Sequence, residues 1–159
     1  RRLMPVTYNS NAGNLTIGGV AMFCPAWRIE NLYELWLPAD QRGIDRTRPN
    51  VTGSFPVRRY ATATRKSLRM LIVGDVDRTG ASSSSLLAGI YTNIAYLRDN
   101  VVAPTGATDG TRSAVLTVPG GSTITEPVHV TGLEVSDLRE DGAWVKAVLE
   151  LSIPSGRFQ

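Results

Sequence analysis

Alternation with period two dominates the second half of this chain. Over 144–153, Val145, Ala147, Leu149, Leu151 and Ile153 stand against Lys146, Glu150 and Ser152. Over 113–118, Val115 and Thr117 stand against Leu116 and Val118; the turn Pro119-Gly-Gly-Ser122 then leads into a further β-prone run at 123–135. This pattern predicts antiparallel strands with one wet face. Upstream, 15–22 has two β-prone flanks around Gly18-Gly19, a strong two-residue hairpin signal. The stretch 58–76 predicts one long strand, with Tyr60, Thr62 and Thr64 on one side and Ala61, Ala63 and Arg65 on the other. It turns continuously apolar at Leu71, Ile72 and Val73, as a strand buried on both faces would.

Two segments break the alternation. In 26–37, Trp27, Ile29 and Asn31 share a strand face, while Leu32, Leu35 and Trp36 suit a helical turn; Pro38 ends either element. After Ser82–Ser85, apolar residues fall at Leu86, Ile90, Ile94, Leu97 and Val101, the spacing of a helix face. Leu87 and Tyr91 widen that stripe enough to lay the helix over a sheet. A serine supplies the N-cap, and Pro104 lies beyond the C-terminal end. The expected architecture is mainly β (α+β): an antiparallel β-sandwich or open barrel with one packed helix at about 83–101. No repeat of 20–50 residues is present.

Residues 40–58 contain Gly43, Pro49, Gly53 and Pro56 and show no sustained period. They read as a long loop or arm, and loops of that length in compact domains are usually functional or interface-forming. At 159 residues the whole chain, 1–159, reads as a single domain able to bury a core without staples. No apolar run approaches the roughly 18 residues of a spanning helix. The N-terminus lacks the apolar core of a signal peptide, so a soluble, unsecreted protein is expected.

Charge changes the picture. The net charge of +3 conceals 11 bases and 4 acids in residues 1–70, against 6 bases and 10 acids in 71–159. Arg42, Arg46, Arg48, Arg58, Arg59, Arg65, Lys66 and Arg69 face only Asp45 within 42–69. Two partners suit such a block. One is nucleic acid, with arginines neutralising phosphates. The other is the acidic half of a neighbouring copy. Phe55 and Tyr60 are the only aromatics nearby that could stack on bases, which favours the protein interface.

Catalytic chemistry finds little to work with. One cysteine, Cys24, and one histidine, His129, cannot supply a structural zinc site. His129 alternates with Val128 and Val130 in a strand, and Cys24 has no motif partner. The stretch Val73-Gly-Asp-Val-Asp-Arg-Thr-Gly80 imitates an EF-hand from Asp75, with acids at positions 1 and 3, Thr at 5 and Gly at 6. Position 12 is Leu86 where a bidentate glutamate is required, and a strand precedes it where a helix should. A sugar-transferase Asp-x-Asp would need an upstream nucleotide-binding α/β unit, which the sequence lacks. Asp75, Asp77 and Gly80 read instead as a strand-to-helix turn in which Asp side chains bond their own backbone. No catalytic residue, cofactor or metal is expected, and the chain does not read as an enzyme.

Several local signatures, in order, resemble a known group. "RRYATATRKSLRMLIVGDVDRTG", then "LAGIYTNIAYLRDNVVAPTGATDGTRSAVLTVPGGS", then "VKAVLELSIPSGRF" resemble minor tail proteins of long-tailed bacteriophages of actinobacteria, which are similar to the distal tail and tail-tube families. The resemblance covers roughly residues 56–158. It implies a virion protein, assembled in the host cytoplasm, that forms a ring, commonly a hexamer with a trimer as the other possibility, at the distal end of the tail tube or tail tip. The partners implied are further copies of itself and the tube, tape-measure and tail-tip or baseplate proteins, with no membrane and no direct DNA contact. On this reading the arm reaches a neighbouring subunit, and Arg42, Arg46, Arg48, Arg58, Arg59 and Arg65 pair with Asp137, Glu140 and Asp141. A tail-tube or head–tail connector subunit and a nucleic-acid-binding β module using 42–69 are the alternatives.

Overall fold

A computed structural model describes residues 14–36, 41–42, 46–47, 54–55, 60–61, 63–103, 110–136, 144–156 and 158. Its strands are β1 (Asn14–Ile17), β2 (Val20–Ala21), β3 (Trp27–Ile29), β4 (Gln41–Arg42), β5 (Arg46–Thr47), β6 (Ser54–Phe55), β7 (Tyr60–Ala61), β8 (Thr64–Val73), β9 (Thr111–Thr117), β10 (Thr123–Ser136) and β11 (Trp144–Ile153), with one α-helix, α1 (Leu86–Leu97). Seven strands form one antiparallel sheet in the order β2-β1-β9-β10-β11-β8-β3, curled into a half-barrel. The open-barrel form of the expectation is therefore the one adopted.

Hairpin chemistry sets the register. Gly18 and Gly19 take φ of +58° and +81°, which brings Ile17 opposite Val20 across a two-residue turn. Gly120 and Gly121, also at positive φ, close β9 on β10, with Val118 N–H donating to the Ser122 carbonyl at 2.7 Å. β10 is long enough to serve two neighbours in succession. Its first half pairs with β9 and its second with β11, and a register shift lies between Val130 and Gly132. Pro127 lies ahead of the first β11 partner, His129 opposite Ser152, where its missing N–H does no harm.

The alternating positions predicted for β11 are all buried, and they meet Leu68, Met70 and Ile72 of β8 in register: Leu149 opposite Leu68, Ala147 opposite Met70, Val145 opposite Ile72. With Leu15, Ile17, Ala114, Leu116, Val128, Trp27 and Ile29 they form one core, which α1 closes with Ile90 and Leu97. Ser85 caps the helix, its Oγ accepting from Ala88 N–H at 3.2 Å. The helical path continues as a π-helical turn, Arg98–Val102, in which Val101 is buried.

The mixed segment resolves into both elements, strand first: β3, then a 3-10 helix, Leu32–Trp36. Asn31 joins them. Its side chain, only 4% exposed, donates to the Ser67 carbonyl at 3.0 Å and accepts from Arg69 N–H at 2.7 Å. It thereby continues the β3–β8 ladder after the backbone has turned away.

Three expectations are corrected. The long strand is not continuous from 58, because β7 ends at Ala61 and β8 begins at Thr64. β8 is not buried on both faces at its end: Leu71 and Val73 are half-buried, on the side of the sheet away from Leu68, Met70 and Ile72. Leu87 and Tyr91 do not widen the buried stripe, and Leu86 does not begin it; they are 40%, 57% and 40% exposed. The face turned inward runs through Gly89, Ile90, Asn93 and Leu97, rotated away from those three. The arm region holds two nested antiparallel pairs, β4 with β7 and β5 with β6. Two-residue strands leave no alternation for sequence reading to detect.

Candidate functional site

The turn after β8 is built around Asp77. Its Oδ1 accepts from Thr79 N–H at 2.8 Å, Thr79 Oγ1 at 2.7 Å and Ala81 N–H at 3.0 Å. The Thr79 hydroxyl first, and then the backbone amides of Ala81, Thr79 and Gly80, hold the Asp77 carboxyl below its ordinary range. Gly80 sits at φ +89°. Asp75 contributes its backbone carbonyl, which accepts from Ser83 N–H at 2.9 Å. Among the described residues no group of three or more His, Cys, Asp or Glu could hold a metal ion.

Two helix positions hold this turn against α1, and neither was expected from the sequence. Asn93 Nδ2 donates to the Val73 and Val76 carbonyls at 2.9 and 3.0 Å. Gly89 lets the helix approach so closely that a Cβ there would stand 1.9 Å from the Gly74 carbonyl oxygen. Their signal was available: both are non-apolar residues inside an apolar helical stripe. Beside the turn lies a cavity of about 110 Å³ lined by Trp27, Asp77, Arg78, Thr92, Asn93 and Tyr96. The Trp27 and Tyr96 rings stack at 5.8 Å, with the Arg78 guanidinium 4.8 Å above Tyr96. These groups pack against one another and present no nucleophile beside a base.

The remaining reactive groups are dispersed. His129 Nδ1 lies 3.5 Å from Thr111 Oγ1. Cys24 is half-buried, and burial pushes its thiol up against the opposing backbone hydrogen bonds of Ala26 and Trp27. Arg112 is nine-tenths buried and donates from Nη1 to the Thr111 carbonyl, while its Nε has no partner among the described residues. Arg98 and Asp99 form an exposed pair at 2.6 Å, a geometry worth little in water.

The charged residues expected at a subunit contact are placed as follows. Arg65 is exposed on β8, opposite Ser152 of β11. Arg42 lies opposite Tyr60, and Arg46 opposite Phe55, in the nested pairs. Arg48, Arg58, Arg59, Asp137, Glu140 and Asp141 lie outside the described residues. The attachment points of the two charged segments are nevertheless defined. The basic segment enters β8 at Thr64, opposite Ile153. Residues 137–143 connect Ser136 to Trp144, and Trp144 lies opposite Val73. The two points thus stand at opposite ends of a ten-residue ladder, roughly 30 Å apart at about 3.3 Å per residue. The outer sheet face between them is mixed in sign. Arg28, Arg65, Arg69 and Lys146 are exposed there with Glu30 and Glu150, so the described part of this face is no uniform phosphate-binding strip. No helix among the described residues is long and apolar enough to cross a membrane.

The fold has a counterpart among solved structures. The chain superposes on the crystal structure of the Dit (gp 19.1) protein of phage SPP1, a paradigm of the hub adsorption apparatus in phages that infect Gram-positive bacteria. The TM-score is 0.55 at 12% sequence identity, and the match covers 91% of this chain. This chain spans about half of that protein, 51%. At this identity the likeness is one of fold. No protein family matches by sequence, and no curated protein does either.

Proposed function

We propose that this protein is a structural component of a bacteriophage tail, a ring-forming adaptor at the distal end of the tail tube or at the tail tip. The observation that carries this reading is the likeness of nine-tenths of the chain to a phage hub protein. Its mechanism is assembly rather than catalysis. The basic segment and the acidic connection 137–143 attach at opposite ends of the β8–β11 ladder. On this reading Arg42, Arg46, Arg48, Arg58, Arg59 and Arg65 of one copy pair with Asp137, Glu140 and Asp141 of another. Such pairing suits a head-to-tail contact in which one copy's basic end meets the next copy's acidic end. Tube, tape-measure and baseplate proteins are the further partners on this reading, and the virion is its location.

The test is oligomeric mass by light scattering, across protein concentration and salt. Discrete rings that loosen as salt rises are expected, because exposed charge pairs are screened. A strict monomer under every condition would sink the proposal. A filter-binding titration addresses the nucleic-acid alternative, which requires affinity that falls steeply with log salt.

A further inference from the structure

Two cavities flank the Asp77 side chain, and they form one groove. The first is the space of about 110 Å³ against the Trp27 and Tyr96 rings. The second, of about 200 Å³, lies among the serines Ser82, Ser83 and Ser84 and the helix residue Ala88. Asp77 and Thr92 belong to both walls. Ala88, Thr92 and Tyr96 follow one another at intervals of four, so they make a single line along α1. The groove follows that line for roughly 12 Å, at about 1.5 Å per residue, with the Asp77 turn as its opposite bank. Taken together, its two halves reach the lower end of the size range of small-ligand pockets, about 300 Å³.

The walls hold hydrogen-bonding capacity that the fold leaves unused. Asn93 is only 3% exposed, and its Nδ2 commits both hydrogens to the Val73 and Val76 carbonyls. Its Oδ1 accepts nothing among the described residues. Among those residues the one polar side-chain atom that is both sealed from solvent and unpartnered is Arg112 Nε. The Asn93 oxygen is therefore not sealed, and it opens to the cavity that Asn93 lines. The Thr79 and Ala81 bonds of the turn all fall on Asp77 Oδ1, which leaves Oδ2 for other donors. Thr92 Oγ1 donates to the Ala88 carbonyl at 2.9 Å and keeps its lone pairs. Arg78, exposed above Tyr96, supplies donors on the same wall.

Charge decides the class of ligand. An anion would meet the Asp77 carboxylate, and a cation would meet the Arg78 guanidinium. The two cancel, so the groove offers acceptors, donors and an aromatic wall without net charge. A sugar ring has the matching groups: hydroxyls that donate and accept, and C–H edges that lie against an aromatic wall. We infer that this groove binds a neutral saccharide, with Asp77, Asn93 and Thr92 as acceptors and Arg78 as donor. The site is independent of the tail-ring reading, since every group in it belongs to one subunit.

The experiment titrates glucose, galactose and N-acetylglucosamine separately against the full chain, read by saturation-transfer difference NMR on the sugar signals. Saturable binding of at least one of them in the millimolar range is expected. Thr92→Phe places a ring at the point the two cavities share and should weaken that binding at least about tenfold. Arg78→Ala should weaken it too, and carries the same test if Thr92→Phe unfolds early. Thr92 and Arg78 are both exposed, so thermal unfolding of the variants should match the wild type. Thr125→Phe, at an exposed position on β10, should bind like the wild type. Absence of saturable binding for all three sugars would overturn the inference, as would unchanged affinity in both groove variants. Displacement of the sugar by calcium chloride or sodium phosphate at equal concentration would mark an ion site and overturn it as well.

Discussion

Gly89→Ala sets two effects of opposite sign against each other. In a helix interior alanine is favoured over glycine by about 1 kcal/mol. Gly89 is buried, however, and a Cβ there would stand 1.9 Å from the Gly74 carbonyl oxygen, 2.8 Å from its carbon and 2.6 Å from Ser83 Oγ. The serine hydroxyl can rotate away. The carbonyl cannot, because it is backbone between the end of β8 and the Asp77 turn. Restoring ordinary contact requires α1 to withdraw by roughly 1.5 Å, a shift of the kind that costs about 1–3 kcal/mol in a packed interior. The same movement carries Asn93 out of reach of Val73 and Val76, now 2.9 and 3.0 Å away. Each hydrogen bond contributes about 1 kcal/mol net. Against the propensity gain, the expected loss is about 2–4 kcal/mol. For a chain of this length that corresponds to a fall in Tm of roughly 5–12 °C. Urea unfolding, with m compared between variants, measures it. Gly132→Ala is the control, since a Cβ there meets nothing within 4 Å. If Gly89→Ala is as stable as wild type, or both variants fall equally, the close-approach argument is wrong.

Asn31→Leu keeps the branched outline of the side chain but removes the groups that bond the Ser67 carbonyl and the Arg69 N–H. A loss of about 2–4 kcal/mol is expected, with faster hydrogen exchange at the Arg69 amide; an unchanged exchange rate would refute the ladder-extension role. Asp77→Asn tests the turn through pH. The folded Asp77 carboxyl is held below the unfolded value of 3.8, so its contribution is complete above that value and is lost as pH falls through the lower, folded one. The wild type should therefore lose more Tm than the variant between pH 7 and pH 2.5, and identical pH profiles would count against it.

The strands of the second half are legible because each buries one face, and a single register then satisfies both the pleat and the core. Gly18-Gly19 and Gly120-Gly121 are legible for a related reason, since the positive φ they adopt is one that side chains oppose. Leu87 and Tyr91 mislead because apolar spacing locates a stripe on a helix but not which of two adjacent stripes turns inward. That choice is made by Gly89 and Asn93, whose roles depend on the carbonyls of Val73, Gly74 and Val76 where β8 runs into the turn. Asn31 shows the same limit: its alignment with Trp27 and Ile29 marks it as inward, but its partners lie on β8, 36 and 38 residues away. The charged segments are legible as composition alone. A run of arginines or acids carries no period that fixes a partner, so composition is all that such a segment offers.

The clamp made by Asn31 has a bearing on engineering. It fastens the chain to β8 before the basic segment departs, and β8 resumes its pairing when the chain returns. Among the described residues the core is thus tied on both sides of residues 37–63, as a picture frame is closed around whatever is mounted in it. Residues between Trp36 and Thr64 should accordingly accept replacement, shortening or a grafted epitope while the half-barrel keeps its stability.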